Sequence, residues 1–394
     1  MTQPPIICNQ CSNRITTIGY VSYSNPFKDR KDWSGTIFKV REAIELSGCK
    51  VIWIPYKKNS LPILFVKVIL KTYAKLFKKN ISLDHVKIIG KLQSFTVDKR
   101  NFHKCDYLFF SGQSLLLSNL KTEKPIIYYS DATFDLTVNY HWRNLASWNI
   151  KQGHAIERTA LVKSSIVIHA SKWANTSAID FYKTSKTKCH ILEFGANLDD
   201  NDIEDSETYT TNRELKILFS GTNWERKGAE IAIDTVDFLN KKNIKTKLII
   251  VGVNTVPEKF RNISFIEYVG FLNKNIVQQY EKYISIIKQS HLFLLPTKIE
   301  CAGIVFCESS AFGLPIFTYD TGGIANYVIN GCNGYRLPLS EKGDAFAHKI
   351  IECINQNELL KLKKGGQQLY KEKLSWKSWA ERFKGVLKIQ SQLK

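Results

Sequence analysis

Leu294-Leu-Pro-Thr-Lys-Ile-Glu300-Cys-Ala-Gly303-Ile-Val-Phe-Cys-Glu308-Ser-Ser-Ala-Phe312-Gly-Leu-Pro315 passes from strand to loop to helix in one short stretch. The apolar run Leu292–Leu295 reads as a strand buried on both faces, as in a parallel sheet. Pro296 ends it, a loop carries Glu300, and helical spacing begins near Gly303. Helical side chains lean toward the N-terminus, which aims Glu308 back at the Glu300 loop. The leading amides of Gly303, Ile304 and Val305 open on the same space and suit an anion such as a diphosphate. Two carboxylates beside an amide cradle fit one ligand that carries both hydroxyls and phosphates. A capping acid plus an ordinary surface glutamate gives the same spacing.

On either side of this unit, short β-branched runs alternate with helical segments. The strand-like runs are Ile15–Val21, Val51–Ile54, Tyr107–Phe110, Pro125–Tyr129, Ile166–His169 and His190–Leu192, then Leu215–Phe219, Lys247–Val251, Ile263–Ile266, Leu292–Leu295 and Ile316–Thr318. Thr36–Leu46, Gly228–Asn240 and Gly303–Phe312 are helical. Such alternation predicts an α/β fold of open parallel sheets with helices on both faces. At 394 residues the chain exceeds what one core usually holds, about 250–300 residues, so two domains are expected. We read Rossmann-like domains over 1–198 and 214–374, a polar linker over 199–213, and a Trp-bearing amphipathic helix over 375–394 that packs back on the first domain. Ligand sites in such folds lie beyond the strand ends, here in the cleft between the domains.

Apolar residues make up 44% and charged residues 23%, which excludes a disordered chain, a collagen-like repeat and a disulfide miniprotein. Lys+Arg number 56 and Asp+Glu 36, a formal charge of +20. Residues 1–200 hold 29 basic and 15 acidic residues, residues 201–394 hold 27 and 21, so the excess sits mainly in the first half. That half is expected to meet an anionic surface. Nucleic acid is not expected, because no binding motif or aromatic-interleaved basic stripe is present. The first residues show no signal-peptide pattern, and Leu61–Leu70, interrupted by Lys67, is too short to span a membrane. The nine cysteines read as reduced thiols, so a cytoplasmic location is expected. Cys8-x-x-Cys11 has no second ligand pair at zinc spacing.

A second segment, Ile217-Leu-Phe-Ser-Gly221-Thr-Asn-Trp-Glu-Arg226-Lys227-Gly228, also runs from a strand through a glycine turn into a helix. It is not a P-loop, which needs Ser or Thr after its GK pair. Arg226 and Lys227 beside a helix start suit phosphates as point charges, and a solvated basic turn would read the same.

Taken together, Gly221…Arg226-Lys227-Gly228, Tyr268-Val-Gly-Phe271-Leu272, Leu295-Pro-Thr…Glu300-x7-Glu308, Phe312-Gly-Leu-Pro315 and Asp320-Thr-Gly-Gly323 resemble the donor half of family 4 retaining glycosyltransferases of the GT-B fold. The resemblance covers about residues 215–340. It implies two Rossmann-like domains facing across a cleft. It also implies a nucleotide diphosphate sugar, UDP- or GDP-linked, as co-substrate, with no metal or other cofactor. By position, Lys227 would hold the diphosphate, Glu300 a sugar hydroxyl, Glu308 the ribose, and Gly303, Ile304 and Val305 the phosphates. Phe271 would lie near the base. The family often places Arg directly after the first glycine, where this chain has Thr222; Arg226 would substitute.

In the first half, Trp33-Ser-Gly35-Thr36 resembles the glycine loop that approaches the donor phosphates from the acceptor side. Asp131, in Tyr129-Ser-Asp-Ala-Thr-Phe134, stands where many members carry a histidine near the acceptor; a helix cap is the other reading. His141 and His154 read as structural. Asp200-Asn-Asp202 is a DxD, but it lies in a strandless acidic linker and reads as a solvated charge run. Leu61–Asn80 reads as a basic amphipathic helix, with Lys67, Lys71, Lys75 and Lys79 opposite Val66, Ile69, Leu70, Tyr73, Leu76 and Phe77. Its apolar face either packs on the sheet or, with the lysines, docks on anionic lipid.

The expected activity is retaining hexosyl transfer to a glycan, lipid-linked or protein-linked acceptor, at the membrane's inner face if the basic helix docks. A non-hydrolysing nucleotide-sugar epimerase and a non-catalytic GT-B partner subunit share the fold. The former converts donor without acceptor and the latter does neither.

Overall fold

Six strands build the first sheet: β1 (Thr17–Ser22), β2 (Lys50–Pro55), β3 (Tyr107–Ser111), β4 (Ile126–Ser130), β5 (Ile166–His169) and β6 (Cys189–Ile191). They pair in parallel in the order β2-β1-β3-β4-β5-β6. The second sheet holds β7 (Leu215–Ser220), β8 (Thr246–Val251), β9 (Ile266–Gly270), β10 (Leu292–Leu295), β11 (Ile316–Tyr319) and β12 (Gly334–Leu337). Its order, β12-β11-β10-β7-β8-β9, is the doubly wound one, with the chain reversing direction between β7 and β10. This computed structural model describes residues 15–203 and 214–392. Cys8, Cys11 and residues 204–213 of the linker lie outside them.

The strands of the first sheet and the central strands of the second fall within a residue or two of where their apolar runs predict, and the two edge strands of the second sheet do not. β12 was not anticipated, and β9 starts at Ile266 rather than Ile263. Both are edge strands, half-buried, and an edge needs less apolar side chain than a centre. Gly-Tyr-Arg-Leu and Ile-Glu-Tyr-Val-Gly therefore carry only a weak strand signal.

The last helix, Trp376–Gln392, returns to the first domain and packs on the helix Thr36–Leu46. Trp379, fully buried, stacks on Phe383 at 4.8 Å and donates its indole N–H to the Tyr129 hydroxyl at 3.2 Å. Arg382 reaches Glu193 at 2.6 Å. The two chain crossings between domains touch: Trp376 donates to the Asn197 side-chain oxygen at 3.2 Å, and a Cβ on Gly195 would sit 2.8 Å from the Trp376 ring.

The basic helix spans Leu61–Leu76, four residues shorter than expected, because Lys78 takes φ +49° and turns the chain. Its apolar residues do not all pack on the body of the domain. Ile63 is its one fully buried side chain, and Val66 and Leu70 lean on the small cluster of Ile89, Leu115 and Ile156. Leu61, Phe65, Val68 and Leu76 stay 84%, 69%, 62% and 74% exposed. The helix therefore carries three stripes: one buried, one apolar and exposed, one basic. Among the described residues no helix is long and apolar enough to cross a membrane.

Candidate active site

Both sharp sequence segments lie at the β7/β10 reversal. After β7 the chain turns at Gly221 into Trp224–Lys227, capped by the Asn223 side chain, which accepts the Arg226 N–H at 2.8 Å. Gly228 ends the turn at φ +75°, and a Cβ there would lie 2.1 Å from the Pro296 carbonyl oxygen. Only glycine lets the two loops meet backbone to backbone. The Lys298 N–H completes the contact by donating to the Arg226 carbonyl at 2.9 Å. The Lys227 ammonium is thereby set in an ion pair with the Glu300 carboxylate. The Arg226 guanidinium donates to the Ile299 carbonyl at 2.9 Å and stands 4.0 Å from Glu300.

The next helix is Ile304–Ala311, with Gly303 as its cap. A Cβ on Gly303 would fall 2.2 Å from the buried Phe306 ring, so this helix start admits only glycine. Glu308, 2% exposed, is held from two sides. The Lys274 ammonium meets one carboxylate oxygen at 2.5 Å and the Tyr283 hydroxyl donates to the other at 2.7 Å. A buried carboxylate needs such pairing, and each oxygen keeps a lone pair for a further hydroxyl.

One cavity of about 410 Å³ gathers Gly221, Arg226, Lys227, Phe271 and Glu300 with Gly303, Ile304, Val305 and Glu308. Gly35 is not in its wall; Ser34, Arg30 and Lys31 are. Gly35 supplies instead the left-handed geometry of the loop, with Trp33, Ser34 and Gly35 at φ +48°, +56° and +89°. Asn197 braces this strained run, donating to the Ser34 carbonyl at 2.8 Å and reaching the Thr36 hydroxyl at 3.2 Å.

A second cavity, of about 580 Å³, lies on the first domain's side and is lined by Trp33, Asp131, His141 and Cys301 among others. The two cavities share walls residue by residue: Trp33 faces one and Ser34 the other, Cys301 one and Glu300 the other. Burial raises the Asp131 carboxyl to about 6, with the charge of Glu300 adding to the effect. No hydrogen bond of a helix-capping kind is made by Asp131; the following turn, Phe134–Thr137, is preceded by Thr133.

His141 corrects the sequence reading, since it is part of the cleft. Its Nε2 lies 3.3 Å from the Cys301 thiol, and burial, with the nearby charges of Arg226 and Lys227, lowers its pKa. The neighbouring Tyr140 hydroxyl accepts the Glu300 N–H at 2.8 Å and bonds Thr321 at 2.8 Å, so the first domain grips the Glu300 loop directly. His154, by contrast, is structural: it bonds the Tyr182 hydroxyl at 3.0 Å and packs against Phe134 and Phe181. The sequence reading also missed Lys274, Tyr283 and Tyr140. No periodicity marks the turn residues Lys274 and Tyr140, while Tyr283 lies on the buried face of the helix Val277–Gln289, where its spacing reads as core.

The DxD does not face either cavity. Asp202 accepts the Tyr280 hydroxyl at 2.7 Å and Asp200 that of Tyr370 at 3.3 Å, so these acids are tied rather than merely solvated. Among the described residues no three His, Cys, Asp or Glu side chains are grouped to hold a metal ion.

Two facing Rossmann-like domains with an anion-suited cleft define the GT-B fold of glycosyltransferases. Residues 200–388 match the family model described as Glycosyl transferases group 1. Among curated proteins, the chain is 24% identical over 217 residues to the capsular polysaccharide biosynthesis glycosyltransferase CapM of Staphylococcus aureus, covering 52% of this chain and 56% of that one. It is 26% identical over 182 residues to an uncharacterized glycosyltransferase of Methanocaldococcus jannaschii, covering 45% and 48%. The chain thus spans about half the length of the curated relatives it matches. Among solved structures it is similar to sucrose-phosphate synthase from Thermosynechococcus elongatus, with TM-score 0.68 and 14% identity over 96% of this chain and 100% of that one. It is also similar to WaaG, a glycosyltransferase involved in lipopolysaccharide biosynthesis, with TM-score 0.59 and 16% identity over 94% and 99%.

Proposed function

We propose that the protein is a retaining hexosyltransferase of the family 4 type, which takes a UDP- or GDP-linked sugar and transfers the hexosyl group to a glycan, lipid-linked or protein-linked acceptor. The observation that carries this reading is the joining of both sharp sequence segments in one cavity, where cations and helix-start amides stand beside two carboxylates, each paired with a lysine. Lys227, Arg226 and the amides of Gly303, Ile304 and Val305 stabilise the charge that develops on the leaving diphosphate. Preorganised donors of this kind usually supply the largest share of catalysis. Glu300 takes a donor-sugar hydroxyl, Glu308 the ribose, and Phe271 lies by the base. Attack comes from the same face the diphosphate leaves, with a donor phosphate oxygen taking the acceptor's proton. Asp131 and the second cavity face the acceptor.

Lysine and helix amides do the work that a cation performs elsewhere, so the reaction is metal-independent in this reading. The exposed apolar stripe of Leu61–Leu76, edged by lysines, supports docking at an anionic bilayer from the cytoplasmic side. Each lysine near the surface contributes about 1 kcal/mol.

The test compares initial transfer rates. Glu300→Gln removes a charged hydrogen bond worth ~1.5–3 kcal/mol, so transfer should fall roughly 10- to 100-fold. EDTA and the pair Asp200→Asn/Asp202→Asn should leave it intact. A chelator-sensitive wild type beside a fully active Glu300→Gln enzyme overturns the proposal.

A further inference from the structure

The two cavities carry opposite charge. In the donor cavity Arg30, Lys31, Arg226, Lys227 and Lys274 face Glu300 and Glu308. In the second cavity the balance reverses: Asp32, Asp84 and Asp131 outnumber Lys58, in a chain of formal charge +20, while Glu157, which burial raises to about 7, adds little charge below neutrality. Its histidines add little charge near neutrality, because burial holds His85 down at about 4 and lowers His141. An isolated acidic basin inside a basic protein is not a by-product of composition.

The rest of that wall is aromatic and polar. Trp33, Tyr56 and Trp142 contribute rings, and the buried Gln113 side-chain oxygen has no hydrogen-bond partner among the described residues. Unmet acceptors crave donors. Aromatic surface beside carboxyl and amide oxygens is the chemistry that receives a sugar ring: its C–H faces lie on the rings and its hydroxyls donate to the oxygens. A phosphate or carboxylate brought to the same place meets the like charge of Asp32, Asp84 and Asp131, which suppresses binding. An ammonium group meets the reverse.

We infer that this cavity takes the acceptor as a saccharide end free of phosphate and carboxylate, and that an amino group on that sugar strengthens binding. The inference rests on the transferase reading above, and it names the acceptor class that the reading leaves open. It separates the anionic surface that the lysine-edged helix meets from the group that enters the cleft: the former carries negative charge, the latter does not.

The test is binding rather than turnover. UDP and GDP are titrated first by calorimetry, so failure of the donor reading shows as absence of nucleotide binding, whatever the glycosides do. The nucleotide-loaded protein is then titrated with methyl glucoside, methyl 2-amino-2-deoxyglucoside, methyl glucuronide and glucose 6-phosphate. The amino sugar should bind about tenfold tighter than the neutral glycoside, and the two anionic sugars at least about tenfold weaker. Asp84→Asn, at an exposed position, should narrow both gaps while nucleotide affinity in the same titration stays at the wild-type value. Anionic sugars bound as tightly as the neutral one, gaps unmoved by Asp84→Asn, or no glycoside binding at all would each overturn the inference.

Discussion

Glu157 gives the sharpest quantitative test of the first domain. It sits on the helix Ser147–Lys163, 2% exposed, with the Tyr128 hydroxyl at 3.4 Å, and burial lifts its pKa from 4.5 to about 7. An unfolded chain ionises this carboxyl near the ordinary value. Between the two values the folded protein keeps a proton that the unfolded chain has lost. Its stability contribution is therefore complete below pH 4.5 and lost as pH rises through 7. Spread over that window at ~1.4 kcal/mol per pH unit, the loss amounts to about 3 kcal/mol. Glu157→Gln keeps the shape and an acceptor for Tyr128 but cannot ionise. Asp131 titrates in the same range, yet it is present in both proteins and cancels in the difference. Differential scanning calorimetry of the two from pH 4.5 to 8.5 should show nearly coincident melting at the acid end. At the alkaline end the Gln variant should melt higher, by about 6–12 °C for a domain of this size. A gap that stays constant with pH would refute the reasoning.

Two further outcomes follow from the cleft and the surface helix. Lys227→Ala should weaken nucleoside diphosphate binding roughly 10- to 100-fold while leaving the bare nucleoside nearly unaffected, because the lost charge acts on phosphate; equal loss for both ligands, measured by calorimetry, would count against it. Replacing Lys67, Lys71, Lys75 and Lys79 by Gln should reduce co-sedimentation with anionic liposomes, as should raising salt for the wild type. A wild type that ignores such liposomes at low salt would leave the helix without a membrane role.

What the sequence made legible tracks burial. Leu292–Leu295 and Ile166–His169 are buried along their whole length because each lies between two other strands, and they were placed to the residue. The wall of the 410 Å³ cavity was also legible, since strand end, glycine turn and helix start are each written in consecutive residues. The parts that needed three dimensions stayed hidden. Tyr140 and His141 are 160 residues from Glu300 and Cys301, and only the domain arrangement brings them together. Lys274 reaches Glu308 across 34 residues from a loop without periodicity. Helical period along 61–76 shows which residues share a stripe. It does not show that Phe65 and Val68 face water while Ile63 faces the core, because all three are apolar.

The return of the last helix sets an order on the making of the protein. Trp379 and Phe383 complete the packing around Tyr129 and Phe109, on strands that leave the ribosome some 250 residues earlier. Nascent domains ordinarily fold as they emerge, the first before the second. Here the second domain has its entire sheet before the first receives its final aromatic layer. Until then the earlier half waits with Tyr129 uncovered, and its assembly is closed by a helix synthesised after the whole second sheet.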